Sequence, residues 1–111
     1  MKFALAVCKL LKSMHRDEPG PTVRRQLARS STSVAFNYRA ACRARSHAEF
    51  TAKMGTVADE SDEALGWLEF TDDARLMASP VPTALMQEAR ELVAIFSATY
   101  GTARANQRDH G

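Results

Sequence analysis

The stretch of sequence that decides the fold is residues 46–68, SHAEFTAKMGTVADESDEALGWL. Ser46 is followed three residues later by Glu49, the spacing of a capping box that satisfies the first free N–H groups of a helix. Apolar and small residues then return every three or four positions, which suits one side of a helix to burial. These positions are Phe50, Met54, Val57, Ser61, Ala64 and Leu68. We therefore predict a helix over residues 47–75.

Three other segments show the same periodicity, at residues 2–15, 22–45 and 83–104. Pairs of prolines at residues 19–21 and 80–82 interrupt the chain between them, because proline removes a backbone donor and ends a helix. The tail 106–111 is polar, and we expect it to be frayed. Four amphipathic helices with short connections predict an all-α protein, an antiparallel up-and-down four-helix bundle built as a single domain of residues 1–111.

The composition is that of an ordinary globular protein: 111 residues, 45% hydrophobic and 25% charged, with a net charge of +2. The length excludes large two-domain enzymes. No apolar run approaches the roughly 18 residues of a membrane span. The two cysteines, Cys8 and Cys42, make neither a disulfide framework nor a zinc site. We therefore expect a cytoplasmic protein with no membrane partner.

Charge is distributed unevenly along the chain. Residues 22–45 contain six arginines and no acid, whereas residues 49–75 contain eight acids and two bases. A face that carries only positive charge is typical of proteins that bind the phosphate backbone of nucleic acids, although solvation or pairing with the acidic helix would also account for it. The candidate nucleic-acid-binding residues are Arg24, Arg25, Arg29, Arg39, Arg43 and Arg45.

The sequence predicts no catalytic site, metal or cofactor. Glu60 and Glu63 lie one helical turn apart, but the Glu-x-x-His pattern of di-iron bundles is absent. We expect both carboxylates to form salt bridges with Arg39, Arg43 or a neighbouring subunit. The three histidines are scattered and lack metal-ligand spacing: His15, His47 and His110.

Several polar and aromatic residues fit structural or interface roles better than chemistry. Asn37 lies in a core-facing helix, where a polar side chain must find a hydrogen bond. Tyr38 falls on the apolar line of the second helix. Trp67 suits the core or an interface better than a base-stacking platform. Glu49 completes the predicted capping box.

Several stretches of the chain resemble one family. They are LARSSTSV at residues 27–34, NYRAACRARS at 37–46, AEF at 48–50, ESDEA at 60–64, WLE at 67–69 and ELVAIF at 91–96. Together they are similar to the four-helix-bundle family named for open reading frames in intervening sequences of bacterial 23S ribosomal RNA. The resemblance covers about residues 3–104, and Glu49, Glu60 and Glu63 match acidic positions of the family.

The resemblance implies an antiparallel bundle that assembles into a homopentameric ring. A relative, the accessory variability determinant of diversity-generating retroelements, forms a basic pentameric barrel that binds nucleic acid and a reverse transcriptase. This chain departs from its relatives in a first helix that starts late, in Phe36 where they often have a small residue, and in its proline-rich first loop.

Charge pattern and resemblance together lead to two functional hypotheses. The first is a non-enzymatic, self-assembling protein, a homopentamer that binds RNA or DNA weakly and without sequence preference through the arginines of the second helix. The alternative is an interaction adaptor that docks a partner protein such as a reverse transcriptase, with the acidic third helix as the surface that a basic partner would recognise.

Overall fold

The computed structural model describes residues 1–110, with side chains placed through residue 108. It is an antiparallel four-helix bundle 51 Å long and about 20 Å across, which confirms the predicted fold class. The helices are α1 (Lys2–Leu11), α2 (Gly20–Cys42), α3 (His47–Asp73) and α4 (Thr83–His110). In the described part of the chain, none of them has an apolar stretch long enough to cross a lipid bilayer.

The helices occupy the four corners of the bundle in chain order. α2 packs along α3, α3 along α4, and α1 packs against both α2 and α4. α1 and α3 therefore lie at opposite corners. With 10 residues, α1 is about 15 Å long, whereas the 23 residues of α2 extend about 35 Å. Consequently α1 covers only one end of the surface between α2 and α4.

The core consists of two apolar clusters along the bundle axis. The cluster beneath α1 includes Val7, Leu27 and Leu68, none of which is accessible to solvent. The second cluster, beyond the start of α1, is centred on Met54 and Phe96. Most of the predicted core positions are buried. Tyr38 on α2 is the main exception, since 45% of it is exposed.

Small buried residues allow α2 and α3 to approach closely. Ser30 and Ser31 on α2 and Ser61 on α3 are buried. Each hydroxyl donates to a backbone carbonyl of its own helix, as Ser61 does to Ala58 at 2.9 Å. The hydroxyls are therefore satisfied without a partner across the interface, and the serine-rich stretch of α2 remains helical throughout.

The first connection differs from the prediction. α1 ends at Leu11, not near residue 15, and the chain then turns to meet the loop between α3 and α4. Met14 forms an antiparallel bridge with Met77, and the N–H of His15 donates to the carbonyl of Leu76 at 2.8 Å. This contact between distant parts of the chain outweighs the helical periodicity that includes Met14.

α2 begins at Gly20, two residues before the predicted start. Pro21 is compatible with this start because N–H groups in the first turn have no partner within the helix. The carboxylate of Glu18 accepts hydrogen bonds from the N–H and the hydroxyl of Thr22, at 3.0 and 2.9 Å. Glu18 thus supplies an N-terminal cap that the sequence pattern did not reveal.

The ends of α2 and α3 also come earlier than predicted. α2 stops at Cys42 instead of residue 45 because Ser46 is extended, with φ −147°, to cap α3. α3 stops at Asp73 instead of residue 75, where Arg75 takes the left-handed conformation with φ 53°. Both differences follow from the geometry of the connections.

The last helix is longer than predicted. The sequence led us to expect α4 to end near Arg104 and residues 106–111 to be frayed, but α4 continues to His110; Gly111 lies outside the described residues. Residues 102–110 contain neither glycine nor proline, and alanine, arginine and glutamine favour helices. Ala103 is buried, and its carbonyl lies 2.9 Å from Nε2 of His47, which ties this turn to the start of α3.

Candidate nucleic-acid interface

The outer face of α2 carries most of its positive charge. With 3.6 residues per turn, Arg25, Phe36, Arg39 and Arg43 point in nearly the same direction, and all four are exposed. Phe36 has 57% of its surface accessible. Arg24 lies to one side and is half-buried, and Arg45 is exposed in the connection to α3.

Arg29 differs from the other five arginines because it is paired with α3. Its Nη1 lies 3.0 Å from Oε2 of Glu60, and its Nη2 contacts Glu63. The hydrogen bond to Glu60 raises the pKa of Arg29, and the negative charges of Glu60 and Glu63 add to the effect. Nε1 of Trp67 donates to the same Glu63 carboxylate at 3.2 Å. The network holds α2 and α3 in register.

This network corrects the expected partners of the two glutamates. We predicted salt bridges from Glu60 and Glu63 to Arg39, Arg43 or another subunit, and the structure pairs both with Arg29. In this antiparallel pair of helices, the middle of α2, which carries Arg29, faces the middle of α3, which carries Glu60 and Glu63. Helical periodicity identifies the two faces but cannot supply this register.

The other five candidate arginines make no ion pair with any side chain described up to residue 108. Their charges are therefore not neutralised by the acids of α3. Arg43 and Arg45 lie in the connection between α2 and α3, at one end of the bundle.

The continuation of α4 brings two more arginines to this end. The contact between His47 and Ala103 places the start of α3 beside the last turns of α4. Arg104 and Arg108, four residues apart on one face of α4, are both exposed. We name this cluster the arginine end; its members are Arg43, Arg45, Arg104 and Arg108. Sequence reasoning missed the last two, although their spacing and the absence of a helix breaker were visible.

The capping box at the start of α3 is confirmed. Oγ of Ser46 accepts a hydrogen bond from the N–H of Glu49 at 3.0 Å. The Glu49 carboxylate reaches back to the N–H of Arg45 at 3.2 Å. This carboxylate lies close to the arginine end and fixes the backbone that presents Arg45.

Asn37 has the local structural contacts expected of a half-buried amide. Its Nδ2 donates to both the carbonyl and the hydroxyl of Ser33, each at 2.9 Å. These bonds lie within α2. They satisfy the amide. Within residues 1–108, Asn37 therefore makes no side-chain hydrogen bond to another helix that would fix the register between the two helices.

Tyr38 borders an open depression between α2 and α4, which we name the α2/α4 groove. The groove has a volume of about 440 Å³, and its walls include Val34, Ile95 and Phe96. The rings of Tyr38 and Phe96 have centroids 5.4 Å apart. The neighbouring Cys42, one turn further along α2, raises the pKa of Tyr38, and partial burial adds to the effect.

Within residues 1–108 no three His, Cys, Asp or Glu side chains come together in a way that could hold a metal ion. The carboxylates of Glu60 and Glu63 are occupied by Arg29 and Trp67.

Fold and surface together define a small helical-bundle protein with an arginine-rich face. The 23S rRNA-intervening sequence protein family matches residues 1–98, and the chain belongs to this family. The fold is similar to that of a protein of unknown function from the S23 ribosomal protein family of Bacteroides thetaiotaomicron VPI-5482, with a TM-score of 0.76. The two chains are 22% identical over 89% of this chain and 92% of the other. No curated protein matches the sequence.

Proposed function

We propose that the protein is a non-enzymatic homopentamer that binds RNA or DNA weakly, without sequence preference, through the arginine end. The observation that carries the proposal is the set of guanidinium groups there that make no ion pair with any side chain described through residue 108. Arg43, Arg45, Arg104 and Arg108 come from separate parts of the chain and are all exposed.

Guanidinium groups suit this role because each can donate two parallel hydrogen bonds to a phosphate. The cluster lies at the end of an elongated bundle, where a strand can approach without meeting the acidic face of α3. Contacts of this kind recognise the backbone and not the bases, so sequence preference is expected to be low.

Assembly would strengthen a weak site. Five copies around one axis present five arginine ends to the same polymer, and linked contacts raise the overall affinity well above that of one site. A pentamer of 12.2 kDa chains has a mass of about 61 kDa, which light scattering on a size-exclusion column measures directly. A monomeric mass would contradict the assembly.

The binding test compares two triple variants that lose the same charge. One removes Arg43, Arg45 and Arg104 as alanine substitutions; the control removes Lys9, Lys12 and Arg90, which are exposed elsewhere on the bundle. Affinity for a single-stranded RNA is measured by fluorescence anisotropy between 50 and 200 mM salt. The slope of log K against log salt is negative, and each lost phosphate contact reduces its magnitude by about 0.7. We expect the magnitude for the first variant to fall by about 2 and the control to keep the wild-type slope.

Equal affinities for the two variants would contradict the assignment to the arginine end. A further comparison with Arg29→Ala separates surface charge from paired charge. Because Arg29 is already paired with Glu60 and Glu63, its loss should change the salt slope much less than the loss of Arg43.

A second candidate function is supported by the acidic side of α3. Asp59, Asp62 and Glu69 are exposed, and this surface would suit a basic protein partner such as a reverse transcriptase. Affinity purification from the host with and without nuclease distinguishes the two functions. A partner that survives nuclease treatment supports the adaptor, and loss of every partner supports nucleic-acid binding.

A further inference from the structure

We infer that the α2/α4 groove is the self-assembly site, and that it receives Phe36 and Arg39 from α2 of a second copy. The inference rests on the self-assembly proposed above and identifies the surfaces that make it. The monomer has an uncovered apolar groove and, elsewhere on its surface, an exposed aromatic ring. In the assembly that we infer, the ring of one copy fills the groove of the next.

The groove exists because α1 is short. Beyond the start of α1, the facing sides of α2 and α4 have no fourth helix over them. Three large apolar side chains on its margins are exposed to solvent: Met1 by 61%, Ile95 by 56% and Tyr38 by 45%. An apolar depression with several exposed hydrophobic residues on its margins is typical of an interaction site.

The side chain that fits this depression lies on a neighbouring face. Phe36 projects from the outer face of α2 with 57% of its surface exposed. Aromatic side chains inserted into apolar pockets contribute much of the binding energy at protein interfaces. The groove cannot accept Phe36 from its own chain because the ring points away from the bundle axis.

Charge complementarity favours a second copy as the occupant. Glu88 lines the groove on its α4 side, and Glu91 follows one turn later and is exposed. Arg39 lies one turn after Phe36 on α2, is exposed, and has no partner among the described side chains. Docking of Phe36 would therefore bring the unpaired Arg39 towards two carboxylates.

The two surfaces are different patches of one chain. The groove lies beside the first residues of α1, and Phe36 projects from the outer face of α2. A head-to-tail contact between different patches generates a ring when the rotation closes.

The test uses two variants, each with one damaged surface. Phe36→Glu places a charge on the inserted residue and leaves the groove intact. Ile95→Glu places a charge in the groove and leaves Phe36 intact. Both sites are exposed in the monomer, so helical content measured by circular dichroism should match the wild type. Phe70→Glu, at an exposed aromatic residue on α3, is the matched control.

Light scattering then gives the number of chains. We expect the wild type and the control to keep the multimeric mass and each variant alone to fall to the 12.2 kDa of one chain. An equimolar mixture of the two variants retains one intact pair of surfaces. It should therefore give a two-chain species of about 24 kDa that neither variant forms alone.

Each other outcome has a definite meaning. A multimeric Phe36→Glu variant, or a mixture that stays monomeric, would overturn the head-to-tail contact while leaving the proposed assembly standing. A monomeric wild type would contradict the assembly itself. Nucleic-acid binding is read separately, from the salt slope of the arginine-end variant.

Discussion

Gly20 is the residue at which the backbone leaves least room for a side chain. A Cβ atom added there would lie 2.1 Å from the carbonyl oxygen of His15, whereas one added at Gly66 would meet no atom within 4 Å. We predict that Gly20→Ala lowers the free energy of unfolding by about 1–3 kcal/mol. Gly66→Ala, within exposed helix, should raise it by about 0.5–1 kcal/mol. Urea unfolding measures both free energies. Equal effects of the two substitutions would refute the close approach of Gly20 to the carbonyl oxygen of His15.

Glu18 makes the start of α2 sensitive to pH. Its bonds to the N–H and hydroxyl of Thr22 lower the pKa of Glu18. A group with a lowered pKa stabilises the fold fully above its ordinary pKa and loses that effect as the pH falls through the lowered one. We predict that Glu18→Gln reduces the melting temperature at pH 7 and that the difference shrinks as the pH falls below the ordinary pKa of a glutamate and through the lowered one. Asp59→Asn, at an exposed site, should show no such convergence.

Among the elements, α2 and α3 depend on Arg29 for their register. We predict that Arg29→Ala lowers the melting temperature more than Arg25→Ala, because only Arg29 separates the like charges of Glu60 and Glu63. The difference should shrink in 1 M salt, which screens exposed charges. A double-mutant cycle with Glu60→Gln measures the coupling, and zero coupling would show that the contact does not contribute to stability.

The elements also show where sequence reasoning succeeds. The capping box at Ser46 and the core line of α3 are local patterns, and both are confirmed. The end of α1 depends on the bridge between Met14 and Met77, residues 63 positions apart, and no local pattern encodes it. The partner of Glu60 likewise depends on the register between helices. At the arginine end, Arg43 and Arg45 are visible in the sequence. Arg104 ends the predicted fourth helix and Arg108 falls in the tail predicted to be frayed, and neither was among the predicted binding residues.

At the scale of the whole molecule, the short α1 divides the bundle into a four-helix half and a three-helix half. Backbone amides are protected from hydrogen exchange where packing is most complete. In dilute samples of the Phe36→Glu variant, we predict slow exchange in α2 near Leu27 and faster exchange towards Ala41. Assembly of the wild type should reduce this gradient, because the neighbouring chain covers the exposed half. Uniform protection along α2 in the variant would contradict the predicted difference between the two halves of the bundle.

The position of Met1 beside the groove has a practical consequence for anyone who purifies the protein. An affinity tag fused to Met1 would emerge at the mouth of the groove, where it would compete with a docking chain or shield the groove from one. A tag placed after α4 would follow the last turns of that helix, which carry Arg104 and Arg108. The choice of fusion terminus therefore selects which of the two surfaces an experiment can observe undisturbed.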